Sequence, residues 1–281
     1  HSEYFAGIAK YDYGAVGKAL DSSSAIGFSF IRFGVDDIPN TTELIDAQGN
    51  IDYDRITTFS AVDNAFIVSY ARTISSKLDV GGNAKIVYRK VGPFAKSWGF
   101  GLDASARYKH GTWTFAALAR DVTTTFNAWS FTLTDQVKDV FVLTGNAIPE
   151  NSLEITLPRL ILGTAKTFRF SDKISSVVEA DIDITFDGKR YTLLRTNVAS
   201  FDPHFGFEVD YSKIVFIRGG IGNIQRIQLP GEIQETTLQP NVGIGLRIKG
   251  VQIDYALTNL GRSTGALYSN IFSLKFDVNK K

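Results

Sequence analysis

Carboxylates are the reactive groups that recur most regularly in this chain. Glu179, Asp181, Asp183 and Asp187 punctuate SSVVEADIDITFD at even steps, and Glu208 and Asp210 repeat the two-residue step downstream. In an extended chain residues i and i+2 share a face, so each set lays a row of acid along one side. Such a row could make a pore selective or hold a polar ligand. Like charges this close are costly unless countered, and Lys85, Arg89, Arg107, Arg218 and Arg247 are the natural partners across an interior. A solvated, internally paired interior is the plainer reading of the same pattern.

Other chemistry is thinner. Asp46, Gln48, Asn50, Asp52 and Asp54 make DAQGNIDYD rich in oxygen, and calcium wants clustered carboxylates and amides. The stretch lacks the twelfth-position Glu and the spacing of an EF-hand, so calcium is a weak signal against a solvated turn. His1, His110 and His204 have no serine or carboxylate at a hydrolase spacing, so no catalytic residue is assigned and no enzyme or cofactor is expected. Phe126, Trp129 and Phe131, in FNAWSFTLTDQVKDVFVL, read as exposed aromatics of a long loop. They suit a partner surface or a loop folded inward.

Strands carry these residues. Val178, Ala180, Ile182, Ile184 and Phe186 alternate with the acids of the 175–187 stretch, which gives one apolar and one acidic face. The same alternation recurs at 78–89, 100–108, 205–211, 238–248 and 267–278, in runs close to the roughly 9 to 11 residues that a tilted strand needs to cross a bilayer. No apolar run reaches the length of a membrane helix, and only helices and closed barrels satisfy their backbone in lipid. The expectation is a transmembrane antiparallel β-barrel of about fourteen strands, with lipid outside and water inside. In it the third strand carries a bulge where Phe28 and Phe30 shift phase to Ile31 and Phe33.

Composition fits one such domain over residues 1–281. Lys and Arg total 30 against 29 Asp and Glu, which leaves no basic footprint for nucleic acid. Cysteine and methionine are absent, so no disulfide or thiolate metal site exists. Short turns near 21, 74, 110, 171, 212 and 249 alternate with longer connections at 35–58, 91–97, 121–157, 188–202, 223–236 and 259–266. Bacterial barrels keep short turns in the periplasm. That polarity sends Tyr70, Tyr108, Trp113, Tyr211 and Phe276 to one aromatic girdle and Tyr88, Phe100, Phe186 and Phe205 to the other. An even count also implies that strand one is truncated at the N-terminus.

HSEYFAGIAKYDY, IGFSFIRFGVDDIPNT, YDRITTFSAVDNAFIVSYAR, WGFGLDASARY, ARDVTTTFNAWSF and ALYSNIFSLKF resemble the PorV/PorQ family of Bacteroidetes outer-membrane proteins, whose fold is similar to the FadL-type barrels. The resemblance implies a location in the bacterial outer membrane and a non-enzymatic role in an envelope assembly. There the protein would meet outer-membrane lipid and other envelope proteins, in type IX secretion or surface protein handling. The alternative is a FadL-like transporter of hydrophobic small molecules, which requires an apolar lumenal pocket. The lumenal faces read as polar throughout.

Overall fold

An alternating strand is stable in a bilayer only when every backbone donor and acceptor finds a neighbour, and here the chain achieves this by closing on itself. The computed structural model describes residues 1–5, 7–44, 50–188, 190–228, 234–258 and 268–278. Strands β1 (Ser2–Phe5), β2 (Ala9–Ala19), β3 (Ser24–Asn40) and β4 (Thr57–Thr73) pair in sequence. They are followed by β5 (Leu78–Val91), β6 (Ala95–His110) and β7 (Trp113–Arg120). A hairpin of β8 (Thr125–Phe131) and β9 (Ser152–Thr156), with helix α1 (Asp135–Leu143) between them, interrupts the run. The ring then continues through β10 (Arg159–Arg169) and β11 (Ile174–Thr185), beside which β12 (Leu194–Arg195) is a short strip paired with β13 (Ser200–Tyr211). Last come β14 (Val215–Gln228), β15 (Gln234–Ile248), β16 (Val251–Thr258) and β17 (Ser269–Phe276).

The circle closes because β1 pairs with β2 on one edge and β17 on the other, with Glu3 opposite both Tyr11 and Ile271. The result is a closed antiparallel barrel of fourteen strands, the architecture that the alternation predicts. No helix among the described residues is long and apolar enough to cross a membrane. Closure removes the edge strands that would otherwise be unsatisfied in lipid.

Register sorts the faces. Val178 lies opposite Phe207 and Ile182 between Leu162 and Pro203, all on the outer face. Glu179, Asp181 and Asp183 point the other way, toward the lumen, as do Glu208 and Asp210. Tyr70, Tyr108, Trp113, Tyr211 and Phe276 stand exposed on the outer face at the end with the short turns. Trp98, Phe100, Phe126 and Phe205 do so toward the opposite end. At the short-turn girdle, Lys166 extends along the outer face and sets its ammonium over Trp113 and Phe168, at 4.8 and 5.1 Å. A cation at that height reaches water while its stem stays on the apolar surface.

Four expectations are corrected by the structure. β3 holds unbroken register from Ser24 to Val35, so there is no bulge at Phe30–Ile31. The shift falls between Val35 and Ile38, where Asp37 takes a positive φ of 57°. The connection after Val91 is a tight turn rather than a long loop, and Gly92 supplies its φ of 49°. Residues 121–157 are not one long loop either, because they contain β8, α1 and β9. Finally, Asp187 lies beyond the end of β11 and pairs with Arg190 in the connection, so it is no part of the lumenal row.

Candidate functional site

The corrected segment builds the most distinctive feature of the interior. β6 is longer than β7, and its upper half pairs instead with β8, which brings Gly99 opposite Asn127 and Ser97 opposite Trp129. β9 extends the wall one strand further. On β8 the inward positions are Asn127, Trp129 and Phe131, whereas Phe126 points out beside Phe100. The aromatics expected on a free loop therefore divide between lumen and outer surface, because they belong to a strand and alternate with its period.

Helix α1 roofs this wall. Thr134 caps it by accepting from the Val137 amide at 3.3 Å, and Asp135 sits in its first turn, where the helix dipole favours negative charge. Val137 and Phe141, four residues apart, share a helical face and line a cavity of about 590 Å³ at the long-loop mouth. Trp129 and Phe131 stack with ring centroids 6.2 Å apart, and Phe59 meets Phe94 edge-on at 5.2 Å, both pairs on the cavity wall. Pro39, Leu133 and Pro149 complete the apolar part of the lining, which predominates over the polar residues Asn40, Thr41, Thr42, Ser152 and Glu154. This pocket overturns the expectation of a lumen polar throughout. It was invisible in the sequence because its walls come from four separated segments.

One charged group, Glu154, enters the pocket, alongside the neutral polar residues Asn40, Thr41, Thr42 and Ser152. Trp129 donates its indole N–H to the Glu154 carboxylate at 2.7 Å, and Arg89 donates to both Glu154 oxygens at 3.2 and 3.0 Å. The same guanidinium reaches Asp63 at 3.0 Å and lies 5.1 Å from the centre of the Trp129 ring. Trp129 is thus fixed by a hydrogen bond at its edge and a cation over its face.

Beneath the pocket, where β7 hands over to β8, Asp121 and Thr124 adopt φ of 55° and 61° and Pro158 withholds an N–H from the facing strand. A buried cluster holds this break. The Lys85 ammonium lies 2.8 Å from Asp103 and 2.5 Å from Asp121, the Asp121 amide donates to Asp103 at 2.9 Å, and the Thr125 hydroxyl donates to Asp121. Gly101 makes room for it, since a Cβ there would meet the Lys85 stem at 2.8 Å.

The far wall is charged. Arg218 bridges Glu208 at 2.6 Å and Asp254 at 2.5 Å, beside a cavity of about 660 Å³. Of the five cations expected to neutralise the acidic row, only Arg218 reaches a member of it. Lys85 and Arg89 serve the opposite wall, Arg107 pairs with Asp79 at 2.8 Å, and Arg247 donates to Gln252 at 2.6 Å. Two of its members are held by local groups instead: Arg159 lies 3.3 Å from Asp183, and Lys213 and Ser175 bind Asp210. Strand alternation alone says which face a cation occupies, not how far around the ring it sits.

The oxygen-rich loop offers no ligand cage in what is described. Asp46 lies outside the described residues. Asp52 caps a short 3-10 turn by accepting from the Asp54 amide at 3.1 Å, and its other oxygen pairs with Arg55 at 3.2 Å. Asn50 borders this turn. No group of three or more His, Cys, Asp or Glu suited to a metal occurs among the described residues.

An apolar outer face, two aromatic girdles and a water-facing interior define an integral β-barrel of the bacterial outer membrane. Solved structures share this architecture. The toluene transporter TodX of Pseudomonas putida superposes with a TM-score of 0.54 at 13% identity, over 97% of this chain and 84% of that one. A FadL homologue of Pseudomonas aeruginosa does so with a TM-score of 0.50 at 13% identity, over 93% and 76%. No protein-family model and no curated protein matches the sequence. The fold is therefore FadL-like, and at this identity the likeness speaks for the fold alone.

Proposed function

We propose that this barrel captures small hydrophobic molecules at its outer mouth and passes them inward. The observation that carries the reading is the pocket of about 590 Å³ beneath α1. A barrel interior exposed to water has no need of stacked aromatic and aliphatic walls, and binding sites for small molecules are apolar clefts with few polar groups. A toluene transporter is built on the same fold, so the architecture accommodates this reading.

The test replaces Trp129 and Phe131 with alanine. Folding is checked by heat-modifiable mobility, and binding of a neutral hydrophobic probe is measured in lipid nanodiscs. Loss of about 2 kcal/mol or more of binding is expected, as for truncation of buried aromatic anchors. Undiminished binding by the folded double variant would remove this pocket from the function.

A second reading is participation in an envelope protein assembly, which the PorV/PorQ resemblance implies. It is favoured by Val142 and Leu143, which stand largely exposed at the end of α1, outside the pocket. Native co-purification with the Val142→Ser, Leu143→Ser variant separates the two: a lost partner with intact probe binding supports assembly through this step.

A further inference from the structure

We propose that the mouth pocket discriminates by charge, accepting uncharged apolar molecules and disfavouring carboxylate-bearing ones of the same shape. This rests on the proposed function and names its substrate class. Among the described residues lining the pocket, Glu154 is the one charged side chain. The nearest cation, Arg89, is already committed: its Nε faces Asp63 at 3.0 Å and its Nη1 spans both oxygens of Glu154. Three charged groups thus form a triad with a net charge of one negative.

A ligand carboxylate entering the aromatic cleft would find no cation among the described lining residues to match its charge, only the neutral side chains of Asn40, Thr41, Thr42 and Ser152. The Trp129 indole N–H, the natural hydrogen-bond donor at that depth, is also taken by Glu154. It would instead meet Glu154 directly, and two like charges a few ångströms apart repel by about 1 kcal/mol even in high dielectric. An aromatic hydrocarbon packs against the ring faces and aliphatic walls and, being uncharged, incurs none of this. The one charged group of the described lining, Glu154, then works as a filter and holds Trp129 in place at the same time.

Naphthalene and 2-naphthoate, equal in shape and different in charge, test the filter. Binding is read by quenching of Trp129 in nanodiscs of zwitterionic lipid, in a background carrying Trp98→Phe and Trp113→Phe so that Trp129 reports alone. Partition into lipid cancels when the naphthoate-to-naphthalene affinity ratio is compared between proteins. Glu154→Gln keeps an acceptor for Trp129 and leaves Arg89 paired with Asp63, so the ratio should rise about fivefold. Asp63→Asn removes the same unit of charge without touching the lining, and should raise the ratio in the same direction if Glu154→Gln fails to fold. A ratio unmoved in folded variants that still bind naphthalene overturns the charge filter and leaves hydrophobic capture intact. Absence of naphthalene binding by the folded parent protein overturns both.

Discussion

Two walls of this barrel solve the same electrostatic problem with the same stoichiometry and arrive at different structures. On one wall Lys85 is shared by Asp103 and Asp121; on the other Arg218 is shared by Glu208 and Asp254. The first triad is sealed, with side chains 10, 8 and 12% exposed, whereas in the second they are 33, 30 and 22% exposed. The difference follows from what lies above them. The Lys85 triad is packed under Thr125 at a break between strands, while Arg218 borders an open cavity. Removing one partner costs more the more completely water is excluded from the charge left behind, so the sealed triad is the one the fold cannot lose and the open one shapes a wet interior.

The comparison breaks first at Lys85. Lys85→Ala leaves Asp103 and Asp121 buried with no counter-charge, and should destabilise the folded barrel by about 3–5 kcal/mol in a urea folding titration in lipid vesicles. The frame itself, which face is lumen and which is lipid, is tested by Ile182→Lys on the outer face of β11. It should cost about 2–4 kcal/mol near mid-membrane, against about 1 kcal/mol or less for Asp183→Asn on the inner face. Arg218→Ala, at the open triad, should cost about 1 kcal/mol, because water can replace much of what the guanidinium supplied. Similar losses at Lys85 and Arg218 would mean that burial does not separate the walls.

Strand alternation made the barrel legible from sequence: the acidic row of β11, the two girdles and the count of fourteen follow from a period of two. The pocket was not legible, for two physical reasons. β8 and β9 are short, and their pairing depends on β6 overrunning β7, a non-local fact. Phe59, Phe94, Val137 and Phe141 are separately unremarkable and form a wall only once α1 lies across the mouth. The helix itself did leave a local signal, Thr134 and Asp135 ahead of Val137 and Phe141. Charge pairing failed similarly, since Asp103 and Asp121 took Lys85, Asp63 and Glu154 took Arg89, and Asp79 took Arg107, three of the cations that the acidic row was expected to need.

The smallest effect completes the series with a carboxylate that pairs with no cation among the described residues. Asp21, in the exposed turn before β3, accepts from the amides of Ser23 and Ser24 at 2.7 and 2.8 Å and from their hydroxyls at 2.9 and 2.6 Å. These hydrogen bonds, led by the one from the Ser24 side chain, hold its carboxyl far below the usual carboxylate range. A folded-state pKa lowered from about 3.9 contributes stability that is present above the unfolded value and is lost as pH falls through the folded one. The gap in urea midpoint between the parent protein and Asp21→Asn should therefore be constant above about pH 5 and narrow below about pH 4. Lys85→Ala tested alongside isolates what exclusion of water adds, because the Asp21 turn makes full use of its donors in open solvent. A gap that stays level through the acid range would show that the turn ties down the chain without favouring the ionised acid, and that only carboxylates paired with a cation carry pH-dependent stability in this barrel.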